Sequence, residues 1–166
     1  MIDLVKMSGL MESNKYRNVR ISAEHLGIPF QIVGEGKAGL NKLTVFVKCI
    51  QELNDQEAAR IAEEFIRMDS QSRSYLLGKV FLYCLIADRT NLEVASALLK
   101  RLHDNENRLS NIGKGGGGAM MIVDVSTGRI AQQKSIHPGL WVGKLNKVLA
   151  ELLNRQAFGN EDASRA

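Results

Sequence analysis

The segment Leu43-Thr44-Val45-Phe46-Val47-Lys48-Cys49-Ile50-Gln51-Glu52-Leu53 decides how the chain is assigned to a fold class. Leu43, Phe46, Val47, Ile50 and Leu53 recur at i, i+3, i+4, i+7 and i+10, one stripe of an α-helix. Thr44, Val45 and Val47 are β-branched and lower the intrinsic helix propensity, so burial has to hold such a helix. A second deciding stretch, Tyr75 to Ala87, is apolar nearly all round, interrupted by Gly78 and Lys79. A helix apolar on every side is a central one, so this stretch is predicted to be the helix around which the others pack.

Working outward, Asn54-x-x-Glu57 is a capping-box variant that opens a helix with Ala58, Ile61, Ala62, Phe65 and Ile66 facing inward. Thr90-x-x-Glu93 is a second capping box, ahead of the stripe Leu92, Ala95, Leu98, Leu99 and Leu102. That helix is predicted to end near Leu109–Ile112, with Gly113 as its C′ residue. Residues 2–16 carry a weaker helical pattern broken by Gly9. The β-branched run Ala119–Val125, the turn Ser126-Thr127-Gly128 and the return Arg129–Gln133 read as a β-hairpin. A lone hairpin is marginal in water, and Ile28–Val33 is the available third strand, ahead of a Gly34/Gly36/Gly39 turn cluster. Pro138 suits the first turn of a final helix, whose stripe runs through Trp141, Val142, Leu145, Val148, Leu149, Leu152 and Leu153. The expected fold is therefore α+β and mainly helical, with about five helices packed on a small antiparallel sheet (hairpin 119–134, joined by 28–33). One globular domain over 1–158 is expected, followed by a mobile polar tail at 159–166.

Composition agrees with a folded chain. Of 166 residues, 45% are apolar and 24% charged, with a net charge of +4, outside the range of disordered chains. The longest apolar run free of charge, Val80–Ala87, is far short of the roughly 20 residues that span a bilayer, so no membrane insertion is expected. The first six residues carry Asp3 and no long apolar core, unlike a secretory signal. Cys49 and Cys84 each sit inside an apolar run, as buried free thiols do in a reducing cytoplasm.

Charge is uneven along the chain. Residues 1–106 hold 14 Lys/Arg and 14 Asp/Glu, whereas residues 107–155 hold seven bases against two acids. The sequence pI of about 9.2 thus belongs to the C-terminal third. A local positive field favours anionic partners, and Lys114, Arg129, Lys134, Lys144 and Lys147 are the candidate anion- or partner-binding set. Gly113, Gly115, Gly116, Gly117 and Gly118 around Lys114 are predicted to form a flexible loop. Its N–H groups could cradle a phosphate, but it lacks the strand-to-helix order and the Lys-Ser/Thr pair of a phosphate loop.

Other candidates are thinner. Arg20–Ile28 superficially resembles the first helix and turn of a helix-turn-helix, yet Pro29, Gly34 and Gly36 interrupt the segment that should be the recognition helix. His25, His103 and His137 are far apart in the sequence and show no metal-ligand spacing. Asp124 reads as a turn acid that accepts backbone N–H bonds. With no catalytic signature, metal motif or cofactor motif, the leading expectation is a cytoplasmic, non-enzymatic protein-interaction module: an adaptor, a chaperone-like or a regulatory protein. It would contact another protein through the basic C-terminal third, and a homodimer through the last helix is a natural variant. The alternative is a nucleic-acid-binding accessory protein using the same basic segment. The third reading is an enzyme or binder of a phosphorylated small molecule at the glycine-rich loop.

Overall fold

The structure, a computed structural model, describes residues 2–38, 41–75, 78–110, 115–133 and 141–153. Helix α1 (Leu4–Ser13) is followed by β1 (Arg17–His25), β2 (Ile28–Ala38), β3 (Asn41–Leu53) and α2 (Asp55–Ser72). Then come β4 (Val80–Thr90), α3 (Leu92–Ser110), β5 (Gly117–Asp124), β6 (Arg129–Gln132) and α4 (Trp141–Leu152). The strands form one six-stranded mixed sheet in sequential order. β1, β2 and β3 make an antiparallel meander, β3, β4 and β5 run parallel, and β6 returns antiparallel to β5.

The mainly helical expectation is thereby corrected: about as many described residues lie in strands as in helices, and the sheet is the centre of the molecule. The two deciding stretches are strands. Residues 43–53 fall in β3, where Leu43, Val45 and Val47 enter one face of the sheet and Phe46 the other. Where the central helix over 75–87 was predicted, residues from Val80 onward form β4, with every residue from Phe81 to Ala87 buried. A strand covered on both faces reads as a continuous apolar run, and chance spacing within such a run can imitate a helical stripe. The strand 28–33 does not join the hairpin 119–134. It belongs to β2, between β1 and β3 at the other end of the sheet, and continues through Gly34 and Gly36 to Ala38.

Helices cover both faces. Met7 and Met11 of α1 and Leu145, Val148 and Leu149 of α4 pack on the face formed by Ile32, Val45, Val47, Leu82, Cys84 and Met121. The crossover helices α2 and α3 cover the opposite face, against Phe46, Phe81, Tyr83, Leu85, Met120 and Ile122. Of the predicted apolar stripe of α4, Leu145, Val148, Leu149 and Leu152 are buried within this chain.

Local signals set several element ends. Asn54 caps α2, its side-chain oxygen accepting the Glu57 N–H at 2.9 Å. At α3 the capping oxygen is that of Asn91, which accepts the Glu93 N–H at 2.9 Å; Thr90, the expected cap, ends β4. Asp124 accepts the Ser126 hydroxyl at 2.6 Å and the Thr127 N–H at 3.2 Å, which closes the β5–β6 turn. Arg20–Ile28, compared above with a helix-turn-helix, is β1 and a tight turn, with Leu26 and Gly27 both at positive φ. The predicted start of the last helix at Pro138 and the tail at 159–166 lie outside the described residues.

Candidate functional site

α1 ends in a Schellman turn. The Tyr16 N–H donates to Met11 O and the Lys15 N–H to Glu12 O, both at 3.0 Å. Lys15 occupies the left-handed position of that turn, φ +70°, where glycine is usual. Tyr16 then turns inward and packs with Met11 in the core. Its ring lies over β2 because Gly36 leaves the room: a Cβ there would come within 3.1 Å of the ring. Burial, with a smaller contribution from Cys84, pushes the Tyr16 phenol up to about 12.

Above this ring opens a cleft of about 690 Å³. The end of α1 and the start of β1 bring Glu12, Asn14, Lys15, Arg17 and Asn18 to its wall. β2 and β3 add Glu35, Lys37, Lys42 and Leu43, and α4 adds Lys144. Among the described residues, five cations therefore meet two carboxylates. Glu35 accepts the Asn18 side-chain amide at 2.9 Å, and none of the five cations forms an ion pair with a described residue. Lys15, Arg17, Lys37, Lys42 and Lys144 are all exposed.

The chain matches no protein-family model, no curated protein and no solved structure.

Of the residues singled out in the sequence, Lys144 lies in the cleft and Lys147 is exposed on α4 outside it. Arg129 opens β6, three strands from β3, roughly 14 Å across the sheet. Lys114, Lys134, Gly113 and His137 lie outside the described residues. Lys144 is thus gathered with N-terminal cations that the segment-by-segment charge count had balanced away. Lys15, Arg17, Lys37 and Lys42 were missed because a count over 1–106 balances them against 14 acids anywhere in that segment, of which Glu12 and Glu35 line the cleft. The one local signal was the run of bases at Lys15, Arg17 and Arg20 after a helical pattern.

The glycine-rich segment has a different use. Gly115 and Ser74 exchange backbone hydrogen bonds at 3.0 Å, the Gly117 N–H donates to Lys79 O at 2.9 Å, and the Gly118 N–H to buried Asp69 at 2.8 Å. Asp69 also accepts from Arg73 Nε at 3.0 Å. Gly116, at φ +90°, presses against Gly78, and a Cβ on Gly118 would meet the Phe81 ring at 2.0 Å. Three of the N–H groups needed for a phosphate cradle are therefore committed to protein acceptors.

A second charged cluster lies under α2. Lys48 of β3, 5% exposed, donates to both oxygens of Glu64 at 3.0 and 2.8 Å. The Tyr83 hydroxyl donates to Glu64 at 3.0 Å, and Arg60 bridges Glu64 and Glu57. Burial, then the Glu64 charge, drives the Tyr83 phenol upward. Every polar atom of Glu64 is engaged, so this network is a satisfied structural hub. Cys49 and Cys84 are free thiols; burial raises both, Cys49 to about 11, which leaves them unreactive at neutral pH. His25 stacks on Phe46 at 4.8 Å, and His103 lies 4.0 Å from Glu106 on α3. Among the described residues no helix is long and apolar enough to cross a membrane.

Proposed function

We propose that the chain is a non-enzymatic binding module that holds an anionic group of a partner protein in the cleft at the end of α1. One observation carries this reading: five cations from separate elements converge on the cleft, and three of them sit where local energetics disfavour them. Lys15 takes a left-handed backbone that costs an L-residue about 1 kcal/mol. Lys37 and Lys42 are directly opposite across β2 and β3, a like-charge pair that costs up to about 1 kcal/mol. A solvated surface chosen for stability alone would not collect such placements, whereas binding sites do. A cytoplasmic setting suits the two free thiols.

The alternative, nucleic-acid binding, would use the same cations. It is less favoured because Glu12 and Glu35 interrupt the basic wall and, among the described residues, the only aromatic lining it, Tyr16, is buried rather than offered for stacking. The test is an anisotropy titration with a labelled acidic peptide and a labelled single-stranded oligonucleotide of equal charge, at about 50 and about 200 mM salt. The expected result is peptide binding that Lys42→Glu and Lys144→Glu each weaken about tenfold while Lys147→Glu leaves it unchanged. Tighter, steeply salt-dependent oligonucleotide binding that also falls with Lys147→Glu would replace this reading by the alternative. No binding of either probe would remove both.

A further inference from the structure

We infer that the anion for which the cleft is built is a phosphomonoester, carried on a side chain of a partner protein or on a free small molecule. This rests on the cleft being a binding site, and it adds the identity of the group. Charge comes first. Five cations against Glu12 and Glu35 leave a surplus of three, which one carboxylate relieves by one and a phosphomonoester by close to two.

Geometry comes second. A carboxylate is planar and is served best by a single bidentate arginine, whereas a phosphate presents three tetrahedral oxygens that accept from several directions. Here only Arg17 is an arginine, and the four lysines reach the cleft from the α1–β1 turn, two neighbouring strands and α4. Lysine acts as a point charge, suited to separate oxygens of a tetrahedral group.

Size and rim come third. About 690 Å³ lies within the range of sites that take one compact ligand, roughly 300–1,000 Å³. Glu12 and Glu35 repel further phosphates, which disfavours a polyanion tracking through. The same two carboxylates, with the side-chain amides of Asn14 and Asn18, supply partners for hydroxyl or amide groups on the body that carries the phosphate.

The experiment measures binding of the full chain to a short neutral peptide with one central phosphoserine. The comparison ligands are the same peptide with glutamate or unmodified serine, free O-phosphoserine and glycerol phosphate. The phosphopeptide is expected to bind about tenfold or more tighter than the glutamate peptide, and the serine peptide not at all. Lys42→Glu, whose side chain is exposed, and Lys15→Gly, which relieves strain, should each weaken the phosphopeptide about tenfold without loss of folding. A phosphopeptide preferred over O-phosphoserine and glycerol phosphate assigns the group to a partner protein; equal affinities assign it to a small molecule. Equal binding of glutamate and phosphoserine peptides would overturn the phosphate assignment and leave the anion-binding cleft standing. Absence of binding by every ligand, or binding indifferent to Lys42→Glu and Lys15→Gly, would overturn both.

Discussion

Among the described residues, charge gathers at Glu64 and in the cleft at the end of α1, and the two are built on opposite terms. At Glu64 one carboxylate answers Lys48, Arg60 and Tyr83 under a helix, and each buried charge has its partner. In the cleft five cations share two carboxylates and stay open to water. A buried charge left without a partner costs the fold about 3–5 kcal/mol, so a hub under a helix is stable only when complete. An exposed surplus costs the fold only a little, and it can persist where something outside the chain completes it. Completeness therefore separates the charge that holds the fold from the cleft's surplus, which the proposed anion would complete.

The comparison breaks most readily at the hub. Glu64→Leu leaves Lys48 buried and uncompensated and should lower stability by about 3 kcal/mol in urea unfolding. Lys48→Met combined with Glu64→Leu should recover most of that loss; if the double variant is no more stable than the single, the hub is not a coupled pair.

Next in size is the floor of the cleft. The Tyr16 phenol is raised from 10.0 to about 12, so the neutral form is favoured in the folded state. The stability this confers is whole below pH 10 and is lost as pH rises from about 10 towards 12, on the order of 2–3 kcal/mol. Unfolding free energies from urea titrations at pH 9 and pH 11 should differ by about half of that, ~1.3 kcal/mol, in the parent and by clearly less in Tyr16→Phe.

The cleft cations should behave in the opposite sense to the hub. Lys15→Gly relieves a left-handed lysine and should raise stability by about 0.5–1 kcal/mol, read as a higher melting temperature, while weakening anion binding. Lys37→Thr removes the like-charge pair with Lys42, places a β-branched residue in a strand, and should add a few tenths of a kcal/mol. A fall in stability for both variants would place the cleft cations with the hub, as parts of the fold.

Part of this was readable along the chain. The bases of the cleft could not be found by counting charge in segments, because residues 1–106 balance to zero while Lys15, Arg17, Lys37 and Lys42 meet at one spot. The strands β3 and β4 were hidden by their own burial. Thr44, Val45 and Val47 favoured a strand, yet a run covered on both faces supports either periodicity. A paired irregularity also went unread: Ser22, at φ +55°, faces Gln31, whose side chain accepts the Cys49 N–H at 2.8 Å. Beyond it Phe30 enters the α2–α3 face, although Ile32 lies on the other.

By itself the sequence determined what neighbouring residues settle between them: the Asn54 cap, the amphipathic faces of α2, α3 and α4, and the hairpin closed by Asp124. Those depend on hydrogen bonds and spacings within a few positions, which the order of residues specifies directly. Tertiary structure alone decided that 43–53 and 80–90 are strands, and that α4 delivers Lys144 to cations more than a hundred residues earlier. Both outcomes depend on what covers each face of the sheet, a relation between distant segments that exists only once the chain has folded.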